Sequence, residues 1–194
     1  MKRLGIMTAL ERLAELREEY RSDIVSRFEH AALPCSQCSN PGACCLDEHF
    51  VNVHISRLES VNIADLIDRL DAPTRERVKD RIRGAILRYE LSDDGDTFAR
   101  TFACPLFERG TGCLVHNDGK PFPCLTHACY ERRQDVPPDE TLSIAETRID
   151  RLNDRAFGRG HRWLPLPVAI ADELAARERH HAKRKTGDST EPPK

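Results

Sequence analysis

The stretch Cys35-Ser-Gln-Cys38-Ser-Asn-Pro-Gly-Ala-Cys44-Cys45 puts four thiols into eleven residues, opening with a C-x-x-C pair and closing with a vicinal pair. A second quartet, Cys104, Cys113, Cys124 and Cys129, follows after about sixty residues of helix-like sequence. Thiolates are soft ligands that select zinc, copper(I) or iron–sulfur clusters over hard cations. If the two quartets serve one centre, any fold must bring these distant segments together. That requirement constrains the chain more than any other feature.

How the thiols are read depends on the compartment. The N-terminus, Met1 to Leu10, begins like an export signal, but Glu11 and Arg12 interrupt the apolar region early and no small-residue cleavage site follows. No apolar run approaches the roughly 18 residues needed to span a bilayer. A formal net charge of −2 and a pI near 6.5 give no global basic field. These features predict a cytoplasmic protein with no nucleic-acid and no membrane partner, leaving another protein as the open partner class. Cytoplasmic thiols stay reduced, so clustered spacings there favour metal over a four-disulfide framework. The apolar supply points the same way. At 194 residues the chain suits one domain with helical extensions, yet hydrophobic residues are only 39 %, aromatics 6 % and charged residues 32 %. A metal that cross-links distant segments adds folding free energy to such a core.

Around the cysteines the periodicity is helical. Leu10, Leu13, Leu16, Tyr20, Ile24 and Phe28 recur at three- and four-residue spacing, predicting an amphipathic helix over Thr8 to His30 that packs on its own domain. Pro34 ends it. Phe50-Val-Asn-Val-His-Ile55 alternates and predicts a short strand. Ser56 reads as the N-cap of a second helix, and Pro73 as the first turn of a third with Val78, Ile82, Ile86 and Tyr89 on its apolar face. Ser92 to Asp96 is a turn, and Phe98 and Phe102 flank an extended entry to the second quartet. Pro137-Pro138-Asp139 opens a helix to about Phe157, stopped by Gly158 and Gly160. The Trp163–Pro167 connector leads to a last helix carrying Val168, Ile170, Ala171 and Leu174. Arg177 to Lys185 reads as a solvated basic terminus and the remainder as a disordered tail. The expected fold is mainly α, a small helical domain around an irregular cysteine-rich centre with at most short strands. Its parts are an N-terminal helix (1–33), a cysteine-cluster domain (34–134), C-terminal helices packing on it (135–185) and a tail (186–194).

The ligand chemistry is uneven. Cys35 and Cys38 have the spacing that lets a tight turn aim two sulfurs at one ion. A thioredoxin-like redox pair would need a preceding strand in a βαβ unit, and here a helix and a proline precede it. Cys44 and Cys45, taken as extended backbone, point to opposite sides; one ligates the main centre while the other serves a second metal, bridges, or packs as a buried thiol. Cys104 is followed by Pro105, and Lys120-Pro-Phe-Pro-Cys124 leads to Cys129. His49, His54, His116 and His127 lie near the thiols in sequence as alternative imidazole donors, His116 and His127 foremost, although outer roles are favoured for all four. Tyr130, Arg132 and Arg133 are candidate hydrogen-bond donors to sulfur. There is no phosphate loop, dinucleotide fingerprint, nucleophile elbow or H-E-x-x-H, and the C-x-x-x-C-x-x-C spacing of radical enzymes is missing.

The combined pattern resembles the YkgJ-type cysteine-cluster family, described as zinc- or iron-chelating domains and including flagellin lysine N-methylases. Cys35, Cys38, Cys44 and Cys45 match its first motif. Cys104-Pro-Leu-Phe, Cys113-Leu-Val and Lys120-Pro-Phe-Pro-Cys124 match its second, and Cys129 its last cysteine. The likeness covers Cys35 to Cys129, with a longer gap between Cys38 and Cys44, a histidine at 116 where tyrosine is common, and a lysine at 120 where arginine is common. It implies an iron–sulfur or zinc centre. The expectation is therefore a metal-binding protein holding a [4Fe–4S] cluster with thiolates from both quartets, all eight cysteines being candidate ligands and Zn2+ the alternative. Three roles stay open: a structural or electron-transfer centre, a protein-modifying enzyme such as a lysine N-methylase, and a metal carrier.

Overall fold

A computed structural model describes residues 2–33, 40–46 and 51–187. Among these the chain is mainly helical, with seven α-helices and three antiparallel pairs of two-residue strands. Helix α1 (Ile6–Arg27) buries Ala9, Leu13, Leu16, Arg17, Tyr20 and Ile24, one stripe at helical spacing. That stripe meets α6 (Asp139–Phe157), whose Ala145 and Ile149 are buried against it, and the two helices form a first core with Leu58 and Phe122. Helix α1 thus packs on its own chain, as its periodicity predicts.

A second core lies between α3 (Arg57–Asp68), α4 (Ala72–Arg88) and α7 (Leu166–Gly187), around Ile63, Ile67, Val78, Ile82, Leu166 and Ile170. Each fully buried side chain of this kind contributes roughly 1.5–3 kcal/mol. Helix α3 belongs to both cores: Leu58 faces the first and Ile63, Ala64 and Ile67 the second. Its start is set by a capping box in which Ser56 and Glu59 satisfy each other's backbone N–H groups. The Leu58 N–H also donates to Asn153 Oδ1 at 3.1 Å, tying α3 to α6. In α4, Asp71 caps the helix from the Thr74 N–H and Pro73 sits in the first turn.

Several local expectations are corrected. The strand read over Phe50–Ile55 contracts to β2 (His54–Ile55), paired with β6 (Leu164–Pro165), and Phe50 lies outside the described residues. The connector at Trp163–Pro167 therefore holds a strand and the first turn of α7, because Ile55 and Leu164 pair in register there. The extended entry begins at Arg100, while Phe98 before it sits in a 3₁₀ turn (Thr97–Ala99) and stacks on the buried His54 ring at 3.8 Å. The boundary placed before residue 186 falls inside α7, which runs through Gly187; the rest of the expected tail lies outside the described residues.

Arg177 is no solvated terminus either. It bonds Asp65 (2.7 Å), Asp68 (2.9 Å) and Glu173 (2.9 Å) and donates to the Val61 carbonyl (3.0 Å), clamping α7 to α3. No helix among the described residues is long and apolar enough to cross a membrane.

Candidate metal centre

The second quartet runs between the two cores and is anchored in both. Phe102, Leu106 and Val115 are buried in the core of α3, α4 and α7, whereas Phe122 is fully buried in that of α1 and α6. Between these anchors the backbone is short and irregular: a hairpin of β3 (Phe107–Glu108) and β4 (Gly112–Cys113), then the five-residue helix α5 (Phe122–Thr126). Arg81 of α4 holds the hairpin by donating to the Pro105 carbonyl at 2.8 Å, and Arg77 reaches Glu108 at 3.3 Å. From the other side α1 holds the 116–118 loop by its carbonyls. Arg17 donates to Asp118 (2.7 Å), and Arg21 donates to His116 (3.0 Å) and Asn117 (2.7 Å). Tyr20 then joins Thr126 of α5 through their hydroxyls at 2.6 Å and lies against Phe122.

The first quartet folds onto this frame. Cys44 and Cys45 lie in α2 (Ala43–Leu46), a single helical turn entered through Gly42 at φ +85°. This corrects the extended reading. Adjacent residues on a helix diverge by about 100° rather than the roughly 180° of a strand, so the two side chains do not point to opposite faces. A Cβ at Gly42 would run into the Phe107 ring, so only glycine lets α2 sit against the hairpin. The Cys104 N–H donates to the Cys45 carbonyl at 2.7 Å, a direct backbone link between the quartets. A second junction is made by β1 (Ala32–Leu33) and β5 (Cys129–Tyr130), where Leu33 pairs with Cys129 two residues before Cys35. Cys35, Cys38 and His49 lie outside the described residues.

Five of the described sulfurs, Cys44, Cys45, Cys104, Cys113 and Cys124, occupy one electrostatic neighbourhood. Cys45 is influenced by Cys104 and Cys124, and Cys124 by Cys104 and Cys113. None of the six described cysteines is in a disulfide. Burial pushes the Cys104 thiol up to about 12, and it raises Cys113 and Cys124 as well. Opposing this, the neighbouring backbone N–H groups of Leu106 and Phe107 act to lower Cys104, and that of Val115 acts to lower Cys113. Such donors favour the thiolate. The vicinal pair splits. Cys44 is lowered to about 4 by hydrogen bonds from Cys45 and then from His127, while that same bond and burial raise Cys45.

Thiols whose burial opposes ionisation would need a compensating positive charge to become thiolates. The donor set therefore fits a soft cation or a cluster. Among the described residues, no three Cys, His, Asp or Glu side chains stand close enough to hold a metal by themselves.

The other candidates separate clearly. His54 is buried beneath Phe98 and its Nε2 pairs with the Thr97 hydroxyl at 3.0 Å, so its expected outer role is taken up by packing. Arg132 pairs with Asp135 at 2.7 Å, and Arg133 lies in an exposed 3₁₀ turn. Tyr130 is beside Cys129, and its buried hydroxyl has no partner among the described residues. His127 acts on Cys44, and burial, then the charges of Lys120 and Arg21, lower the His116 imidazole.

Two residues near the thiols were not singled out from sequence, Arg17 and Glu59. Both are buried, and Glu59 acts on Cys124 while Arg17 lies over the Phe122 ring. Arg17 carried a visible signal, since it interrupts the apolar stripe of α1 between Leu13 and Tyr20.

No family model, no curated protein and no solved structure matches this chain.

Proposed function

We propose that the chain is a metal-binding protein whose two cysteine groups jointly hold an iron–sulfur cluster of the [4Fe–4S] type. The observation that carries this reading is the convergence of the two cysteine groups: the Cys104 N–H donates to the Cys45 carbonyl at 2.7 Å, and Leu33, two residues before Cys35, pairs with Cys129. The motif resemblance over Cys35 to Cys129 supports the same assignment. When bound, the cluster supplies either a covalent cross-link or a one-electron couple; the chain's own residues orient the thiolates and limit water access.

Individual Cys→Ser replacements test the ligand set. Loss of visible cluster absorbance is expected for Cys35, Cys38, Cys104 and Cys124, with Cys44 and Cys45 differing from each other. Undiminished absorbance in all eight single variants would contradict the reading.

Zinc is favoured by one separate consideration, the His127 imidazole that helps lower the Cys44 thiol and so offers a nitrogen donor next to it. Under that alternative His127→Ala lowers stoichiometric zinc, whereas under the cluster reading it leaves iron content unchanged.

A further inference from the structure

Next to the sulfurs, but lined by other side chains, a cavity of about 190 Å3 opens between α1, the 116–120 loop and β5. Its polar lining is Arg21, Glu29, His116, Lys120, His127 and Tyr130, over an apolar floor of Ile24 and Leu125. The permanent charges are two cations against one carboxylate. Both imidazoles can donate a hydrogen bond in either protonation state. Arg21 is oriented in advance, because its Nη2 already donates to the carbonyls of His116 and Asn117. Lys120 follows Gly119, which is buried against Leu66 and Val115 so tightly that an added Cβ would meet them at 2.5 and 3.0 Å. The root of the lysine is thereby fixed. No carboxylate lies within ion-pair distance of its ammonium among the described residues. Tyr130 brings a buried hydroxyl with no partner among the described residues, a group that costs free energy until something bonds it.

Size narrows the occupant. Drug-sized ligands fill roughly 300–1,000 Å3. A cationic, donor-rich cavity of about 190 Å3 selects a compact anion with several acceptor oxygens.

We propose that this cavity is a binding site for a small oxyanion, a phosphate group or a short dicarboxylate, held between Arg21 and Lys120 with Tyr130 and the imidazoles donating to it. Since His127 lines the cavity and also bonds Cys44, an anion bound there sits against the surface end of the cysteine seam. The site rests on Arg21 and Lys120, neither of them a candidate metal ligand, so it does not depend on the proposed cluster.

The test is isothermal titration of the full chain, purified anaerobically, with inorganic phosphate and separately with malonate at constant ionic strength in chloride. One saturable site per chain is expected for at least one of them. Phosphate alone assigns a phosphoryl ligand and malonate alone a carboxylate. Affinity should fall about tenfold or more in Lys120→Gln and in Arg21→Gln, each of which removes a charged donor. Lys120→Arg, which keeps the charge, should bind within a few-fold of the parent. Lys79→Gln, on α4, should bind like the parent. No saturable site for either anion, or equal affinity in all of these folded variants, overturns the proposal. Metal content measured on the same samples separates the two ideas. Loss of metal with the anion site intact counts only against the cluster, and the converse only against this site.

Discussion

The core around α3, α4 and α7 encloses Ile63, Ile67, Ile82 and Ile170 almost completely, and Arg177 clamps it through three carboxylates and a carbonyl. The seam from Phe102 to Tyr130 is built differently. It has two-residue strands, one five-residue helix, and apolar anchors only where it touches the two cores. Helices of about 17 to 22 residues can bury enough apolar surface to hold themselves in place. A segment with cysteines where apolar side chains would otherwise sit cannot. The difference teaches that the helical shell stands on extensive burial, whereas the seam rests on a few apolar anchors and, under the proposed function, on a bound metal centre.

The strongest way to break this comparison is to remove the proposed metal. Chelation, or Cys104→Ser, should strip amide-exchange protection from residues 104–130 while α3, α4 and α7 keep theirs. Uniform loss across shell and seam would show that the two are not separable. Phe122→Ala comes next. It removes the fully buried anchor of α5, so a loss of about 3–5 kcal/mol in denaturant unfolding is expected, with metal affinity weakened as Cys124 loosens. Arg177→Ala should cost about 1–2 kcal/mol, reduced by partial exposure, and leave metal content unchanged, because the clamp belongs to the shell alone.

The smallest effect is a pH dependence. Burial raises the Glu59 carboxyl despite the two Ser56 bonds that lower it. With the folded value above the unfolded one (about 4.3), Glu59 contributes stability fully present at lower pH and lost as pH rises through the folded value. Glu59→Gln should therefore gain on the parent as pH rises, read as the difference in unfolding midpoint. An unchanged difference would mean that Glu59 titrates as an ordinary carboxyl.

The shell was largely legible in the sequence. The three- and four-residue spacing of Leu13, Leu16, Tyr20 and Ile24 located α1 and its buried face, and Pro138 and Gly158 bracketed α6. Arg177 misled because a charged residue in a basic run looks the same whether it is solvated or faces Asp65 and Asp68 on another helix. In the seam, only the identity of the thiols was legible. A four-residue helix such as α2 is too short to show periodicity, so Cys44 and Cys45 read as extended. The pairing of Leu33 with Cys129 spans most of the cysteine region and involves two residues per strand, leaving no alternation to detect. The cavity beside it was equally hidden, since Arg21 and Lys120 meet only in three dimensions.

The central claim is that the seam is closed by an iron–sulfur cluster, and the direct measurement is iron, acid-labile sulfide and zinc on anaerobically purified protein. About four iron and four sulfide per chain, with visible cluster absorbance, is the predicted result. A colourless protein with stoichiometric zinc and no sulfide, or with no metal at all, would contradict it.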